Sequence, residues 1–248
     1  MRDRHRSILN YLEQFDEASV QELSSQLNVS VETIRRDLNF MARNNLLHRT
    51  HGGAVSNKNR DIGRSFQVRQ RINSDAKKTI AENVLDHFFE GAVIALDASS
   101  SSWNIAQLLP DVPCTIITGS MHNIRALANK PCIEIISTGG IYSSKYDAFY
   151  GSLSAHLLSR FNIDMAIFSC TGIYDGTIWE SNEMNAVFKR KMLAVSKKAF
   201  LLADRSKFGR KDLIRLCDFS DVDTVFTDQQ LDDYMLDYCR DNNIEITL

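Results

Sequence analysis

Residues 19–55 read SVQELSSQLNVSVETIRRDLNFMARNNLLHRTHGGAV, and no other stretch limits the possible folds so strongly. Ser19 suits an N-cap, and Glu22 three residues on completes a capping-box pattern. The helix it starts buries Val20, Leu23 and Leu27. Asn28 fits a tight turn, because asparagine tolerates left-handed backbone angles. Ser30 then caps a second helix whose apolar face is Val31, Ile34, Leu38 and Met41. Upstream, Ile8, Leu9, Leu12 and Phe15 fall at helical spacing and predict a helix over residues 4–15. Downstream, residues 46–55 with their Gly52-Gly53 pair predict a β-hairpin. The pattern is a small helical unit with a wing.

The second of the paired helices puts Glu32, Thr33, Arg36 and Asn39 opposite its apolar face, with Arg35 on the flank. A helix so presented fits the major groove, where Arg pairs bidentately with guanine and Thr touches thymine methyls or phosphates. Arg49, Thr50 and His51 of the wing would face the DNA backbone or the minor groove. The plain alternative is a three-helix bundle with a solvated basic helix. One such helix covers only a half-site, so a DNA-binding reading carries with it a homo-oligomer, dimer or tetramer.

SVETIRRDLNFMARNNLLHRTHGGAV closely resembles the winged-helix signature of DeoR-type transcription regulators of bacterial sugar metabolism. Val29, Ser30, Thr33, Ile34, Arg35, Arg36, Asp37, Leu38, Arg49, His51, Gly52 and Gly53 carry the match. The resemblance implies double-stranded operator DNA as partner, with Ser30, Thr33, Arg35, Arg36, Arg49 and His51 at the interface. Asp37 reads as structural, orienting an arginine.

At 248 residues the chain is long enough for two domains at roughly 100–200 residues each. No run of 18 apolar residues marks a membrane span, and MRDRHRSILNYLEQ lacks the apolar core of a signal peptide. Cys114, Cys132, Cys170, Cys217 and Cys239 are widely spaced and form no CxxC, which argues against disulfides and structural zinc and for a reducing cytoplasm. Residues 1–78 carry 14 Lys/Arg against 9 Asp/Glu, and residues 79–248 carry 15 against 22, a basic front and an acidic back. Only the front is expected to meet phosphates. The division expected is a winged helix-turn-helix domain over 1–57, a basic linker over 58–75 and an α/β domain over 76–248. Within the linker, Arg64, Arg69 and Arg71 either approach DNA, dock the domains or belong to a plain tether.

From residue 76 onward, strand-like runs (Ala92–Leu96, Cys114–Thr118, Ile133–Ser137, Met165–Ser169, Ala199–Ala203, Thr224–Thr227) alternate with helical ones (Trp103–Leu109, Ile124–Ala128, Leu153–Phe161, Asn185–Ser196, Leu231–Asp241). Alternation of this kind predicts a parallel, three-layer α/β sheet, which binds ligands at the carboxyl ends of its strands. Polar loops gather there. Asp97-Ala98-Ser99-Ser100-Ser101-Ser102 leads into a helix, so it is either an anion cradle or a simple capping turn. Thr118-Gly119-Ser120, Gly139-Gly140, Thr171-Gly172 and Asp204–Gly209 follow the next strands. Together they suggest one pocket for a phosphorylated, hydroxyl-rich molecule.

Residues 92–209 also look like the DeoR-type sensor domain, which is similar to phosphosugar isomerases and the CoA-transferase-like fold. The matching motifs are Asp97-Ala98-Ser99-Ser100, Gly139-Gly140, Glu183 with Lys189, and Asp204-x-Ser206-Lys207-Phe208-Gly209. The resemblance implies a sugar phosphate effector held by Asp97, Ser99, Ser100, Ser101, Thr118, Gly139, Gly140, Gly172, Glu183 and Lys207, with no cofactor, metal or membrane partner. Departures are Ala98-Ser99-Ser100 where Gly-Thr/Ser-Thr is usual, and Thr118-Gly119 where Thr-Asn is usual. Residues 93–100, 168–173 and 179–182 narrow the likeness to regulators of fucose operons, which implies fuculose 1-phosphate.

Three alternatives stand beside this reading: an isomerase-like enzyme using Asp97, Glu183 and Lys207 for proton transfer, a repressor of another carbohydrate operon, and an adaptor without ligand. A DNA-reading domain favours the regulator, for which binding suffices. His51, His87, His122 and Cys170 have no partner at metal-ligand spacing. Trp103 and Trp179 read as core or pocket wall, Trp179 being the better candidate to stack on a sugar.

Overall fold

The computed structural model describes residues 3–15, 17–44, 46–50, 52–56 and 63–248. The chain divides into two compact units, Met1–Ser65 and Phe66–Leu248. In the first, the elements are α1 (Asp3–Phe15), β1 (Glu17–Ser19), α2 (Val20–Leu27), α3 (Val31–Arg43), β2 (Leu47–Thr50) and β3 (Gly53–Ser56). Local chemistry sets the boundaries. Ser19 Oγ accepts from Glu22 N at 3.0 Å while Glu22 Oε2 accepts from Ser19 N at 2.8 Å, a reciprocal cap on α2. Asn28 closes that helix at φ 50°, and Ser30 Oγ accepts from Thr33 N at 3.3 Å to open α3.

Ile8, Leu12, Leu23, Ile34, Leu38 and Met41 meet, fully buried, in one core. The predicted stripe on α1 fails at its last residue: Phe15 is 52% exposed and lies beside Tyr11, because the helix has run past the core. The strands pair antiparallel in the order β1-β3-β2. A β-carbon on Gly53 would stand 2.0 Å from the Ala18 carbonyl oxygen, so this pairing demands glycine. The rest of the Leu46–Val55 reading holds as a hairpin, while His51 lies outside the described residues.

The second unit contains α4 (Phe66–Arg71), α5 (Ser74–Leu85), β4 (Val93–Leu96), α6 (Ser100–Leu108), β5 (Cys114–Thr118), α7 (Met121–Leu127), β6 (Ile133–Ser137), β7 (Ile141–Ser143), β8 (Ala148–Tyr150) and α8 (Ser152–Leu158). There follow β9 (Ile163–Ser169), β10 (Gly172–Tyr174), β11 (Thr177–Glu180), α9 (Glu183–Val195), β12 (Ser196–Leu202), β13 (Ile214–Asp218), β14 (Thr224–Phe226), α10 (Asp233–Asp241) and β15 (Glu245–Thr247). Part of the segment expected as linker is therefore structured, since α4 opens on Phe66, whose buried ring stacks on His122 at 3.5 Å.

Seven parallel strands form the central sheet in the order β15-β14-β12-β9-β4-β5-β6. Six of them are the apolar runs read from the sequence. β15 was not among them, nor were the short antiparallel strands β7-β8 and β10-β11-β13, most of which are too brief to show an alternation. Alternate residues feed two cores. Ala95, Ile117, Ala166, Phe168 and Leu201 face Leu158 and Met192, while Ile94, Leu96, Ile116, Ile167 and Leu202 face Ile80, Val84 and Ile105. Helices thus cover both faces, the three-layer arrangement. Strand order reverses between β4 and β9, and in such sheets the crevice outside the strand ends at that reversal is where ligands sit.

Candidate functional site

On α3, Thr33, Arg35 and Arg36 present their side chains from the first two turns. Arg35 and Arg36 reach Glu32 only at 3.8 and 3.7 Å, and Arg36 is 80% exposed. Exposed pairs of this kind hold weakly, about 0–1 kcal/mol, so both guanidinium groups are free to exchange Glu32 for another anion. Ser30 Oγ lies 2.8 Å from Thr33 Oγ1 and fixes that hydroxyl at the helix start. Arg49 is committed to the wing, donating from Nη1 to Gly53 O at 2.7 Å. Burial and the nearby Arg35 charge both lower its pKa, which places two cations close together on one surface.

Asp37 is buried behind them. It accepts from the Arg4 guanidinium and lies 3.1 Å from His5 Nε2. Burial pushes the Asp37 carboxyl up, but the hydrogen bonds and charges of Arg4 and His5 outweigh it and hold the group below the usual carboxylate range. The structural role read for Asp37 is the one seen: it fixes α1 against α3.

In the second unit the loop after β4 lies at the reversal point. Asp97 Oδ2 accepts from Ser169 N at 3.2 Å, bridging β4 and β9, and Oδ1 accepts from Ser99 N at 3.1 Å. Ser99 caps α6, its Oγ taking Ser102 N at 3.0 Å. Ser100 and Ser101 occupy the first turn, so backbone amides and the positive helix end meet at this point. Thr118 is buried below, donating to Leu96 O at 2.8 Å and accepting from Asn123 Nδ2 at 3.1 Å.

Lys189 of α9 enters from the other side. Its Nζ pairs with Glu180, stands 3.2 Å from Asp97 Oδ2 and donates to Ser169 O at 2.7 Å. Burial lowers the Lys189 pKa, yet the Glu180 and Asp97 charges more than reverse this and raise it, so the ammonium stays charged. Lys207 sits half-buried in a short 3-10 turn, close enough to Asp204 and Cys170 to lower both their pKa values, although burial dominates at Cys170 and drives the thiol up to about 12.

The motif reading matched Glu183 with Lys189, but Glu183 is 68% exposed and its nearest cation is Arg190 at 4.0 Å. Six residues along a helix turn a side chain about 120° away, and Glu180 on β11 takes the place instead. Trp179 already carries Lys211 Nζ over its ring at 4.8 Å. The glycines have packing reasons: β-carbons on Gly140 and Gly172 would lie 2.4 Å from Tyr150 O and 2.2 Å from Arg210 O. Gly139, at φ 58°, opens onto free space. Reading the sequence missed Glu180, Asn123 and Arg69 as parts of this region, since only tertiary packing brings them to it. No group of three His, Cys, Asp or Glu among the described residues is disposed to hold a metal ion, and among them no helix is long and apolar enough to cross a membrane.

Comparison with known proteins bears on both units. Residues 4–60 match the DeoR-like helix-turn-helix domain and residues 72–229 the DeoR C terminal sensor domain. Over the full length of both chains the protein is 53% identical to the L-fucose operon activator of Haemophilus influenzae. It is 36% identical to the L-fucose operon activator of Escherichia coli over 92% of this chain and 95% of that one. Against the E. coli glycerol-3-phosphate regulon repressor the identity is 29%, over 99% and 98%. Among solved structures, ribose 5-phosphate isomerase A from Methanocaldococcus jannaschii matches 55% of each chain at 14% identity and a TM-score of 0.42. These full-length relatives are regulators rather than enzymes. With its helix-turn-helix and sensor units both matched, the chain belongs to the DeoR family of transcriptional regulators.

Proposed function

We propose that this protein regulates an L-fucose operon, binding operator DNA through α3 and the wing and sensing fuculose 1-phosphate at the carboxyl ends of β4 and β9. The full-length identity of 53% with a protein named L-fucose operon activator carries the reading. Thr33, Arg35 and Arg36 read base edges, while Ser30, Arg49 and His51 contact the backbone. Ser99, Ser100 and Ser101 take the phosphate at the start of α6, and Lys207 supplies the balancing charge. Thr118, Gly139, Gly140 and Gly172 wall the cleft, and Asp97 shapes its floor. The protein acts in the cytoplasm as a homo-oligomer, because each α3 spans only a half-site.

The 29% identity with a glycerol-3-phosphate regulon repressor supports a second reading, control of another carbohydrate regulon. Thermal unfolding against a panel of sugar phosphates separates the two, since a ligand of the folded state raises Tm with its concentration over Kd. A selective rise with fuculose 1-phosphate supports the fucose reading. A rise with a different phosphate supports the second, and no rise with any phosphate overturns both.

A further inference from the structure

α4 is the first element of the second unit, and it is docked on the serine turn that follows β4. Ser100 Oγ donates to Arg69 O at 3.2 Å, and Lys77 Nζ donates to the same carbonyl at 2.6 Å. Arg69 itself points its guanidinium back at the turn. Nη1 and Nη2 both approach the Ala98 carbonyl oxygen at 3.3 Å, longer than a well-formed N–H···O bond. Nε is buried and has no hydrogen-bond partner. The flat faces of the group rest near the Phe66 and Tyr146 rings, at 5.6 and 5.2 Å. No carboxylate among the described residues pairs with it.

A guanidinium holds five donors in a rigid fork suited to carboxylate or phosphate. Here two share one neutral oxygen at long range, and one is stranded. Aromatic packing holds the group in position without using its hydrogen bonds. That is an underused cation kept beside Ser99–Ser101, the turn where the α6 amides also converge. The other buried cations nearby are spent, Lys189 on Asp97 and Glu180 and Lys77 on the carbonyls of Arg69 and Ile72.

We propose that Arg69 is an anion ligand of the sensor site, taking the phosphoryl group of the effector with the donors that Ala98 leaves idle. The inference rests on the proposed sugar phosphate site. It adds that α4 supplies part of that site, so that ligand binding tightens α4 onto the unit. The exchange of a long contact to a neutral carbonyl for a charge-assisted fork favours the bound state.

The test uses full-length wild type, Arg69→Gln and Arg69→Lys, with fuculose 1-phosphate and unphosphorylated fuculose as probes in calorimetric titration. Arg69→Gln is expected to lose roughly ten- to hundredfold in affinity for the phosphate, the span for removing a charged hydrogen bond. Affinity for fuculose should not change, and Arg69→Lys should recover part of the phosphate affinity by restoring charge. A merely structural role would weaken both probes together and would not be rescued by charge. Equal phosphate affinity in wild type and Arg69→Gln overturns this proposal alone. Wild type that binds neither probe overturns the fucose reading beneath it as well.

Discussion

The Asp37 carboxylate of α3 is held by the Arg4 guanidinium of α1, across 33 residues of chain. The side chain that fixes α3 against α1 is therefore ionised and buried, with His5 as its second partner. Asp37→Ala leaves Arg4 and His5 without that partner. It is expected to destabilise the first unit by about 3 kcal/mol, the low end for breaking a buried pair because Arg4 keeps some contact with water. Chemical denaturation followed by far-UV circular dichroism measures it.

The same carboxylate sets a pH dependence. Its pKa is depressed in the folded state, so its stabilisation is complete above the unfolded value near ~3.9 and fades as pH falls through the folded one. Wild type should lose stability in the first unit below about pH 4. Asp37→Asn, already weaker at neutral pH, should show a smaller loss over that window. Parallel slopes in the two proteins would remove Asp37 as the source.

The cations proposed to contact DNA and ligand should separate cleanly. Arg36→Ala removes a group that is 80% exposed and bound only loosely to Glu32. Operator affinity should fall by about tenfold or more, the cost of one good base contact, with Tm and sugar phosphate affinity unchanged. Lys207→Ala should do the converse. Fluorescence anisotropy on operator DNA and calorimetric titration read the two, and a variant that loses both functions equally would count against this division.

How much of this was legible in the sequence follows from range of interaction. Ser19 with Glu22, Asn28 and Ser30 act within four residues, and each cap or turn they predict is present. The parallel strands are legible because burial on both faces makes them continuous apolar runs. What escapes is pairing across elements. Lys189 chooses Glu180 on β11 over Glu183 on its own helix, and no spacing rule reaches between a strand and a helix. Phe15 fits the α1 stripe by period but overshoots the core. Arg69 reads as one arginine of a basic tether until α4 docks it on Ala98.

Gly172 tests the claim that a glycine read as pocket wall is first required by packing. A β-carbon there would lie 2.2 Å from Arg210 O, a backbone atom that a side-chain rotation cannot move aside. Gly172→Ala is expected to cost about 1–3 kcal/mol, as overpacking does, through displacement of the 207–210 turn. Gly139, with φ 58° but open space around it, should cost about 1 kcal/mol on replacement by alanine, from backbone strain alone. Equal Tm losses in the two variants would contradict the packing account.

Lys189 is the sharpest test of what the strand-reversal region is built to do. Its ammonium is buried between Glu180 and Asp97, and Asp97 in turn holds the amides of Ser99 and Ser169. Removing the charge leaves two carboxylates facing each other in a dry site, and a buried pair broken on one side costs about 3–5 kcal/mol. Lys189→Met keeps most of the volume and loses only the charge, so it isolates that effect from a cavity. It should lower Tm strongly at pH 7. A Lys189→Met protein as stable as wild type at pH 7 would mean that Lys189 is not the group balancing Asp97 and Glu180.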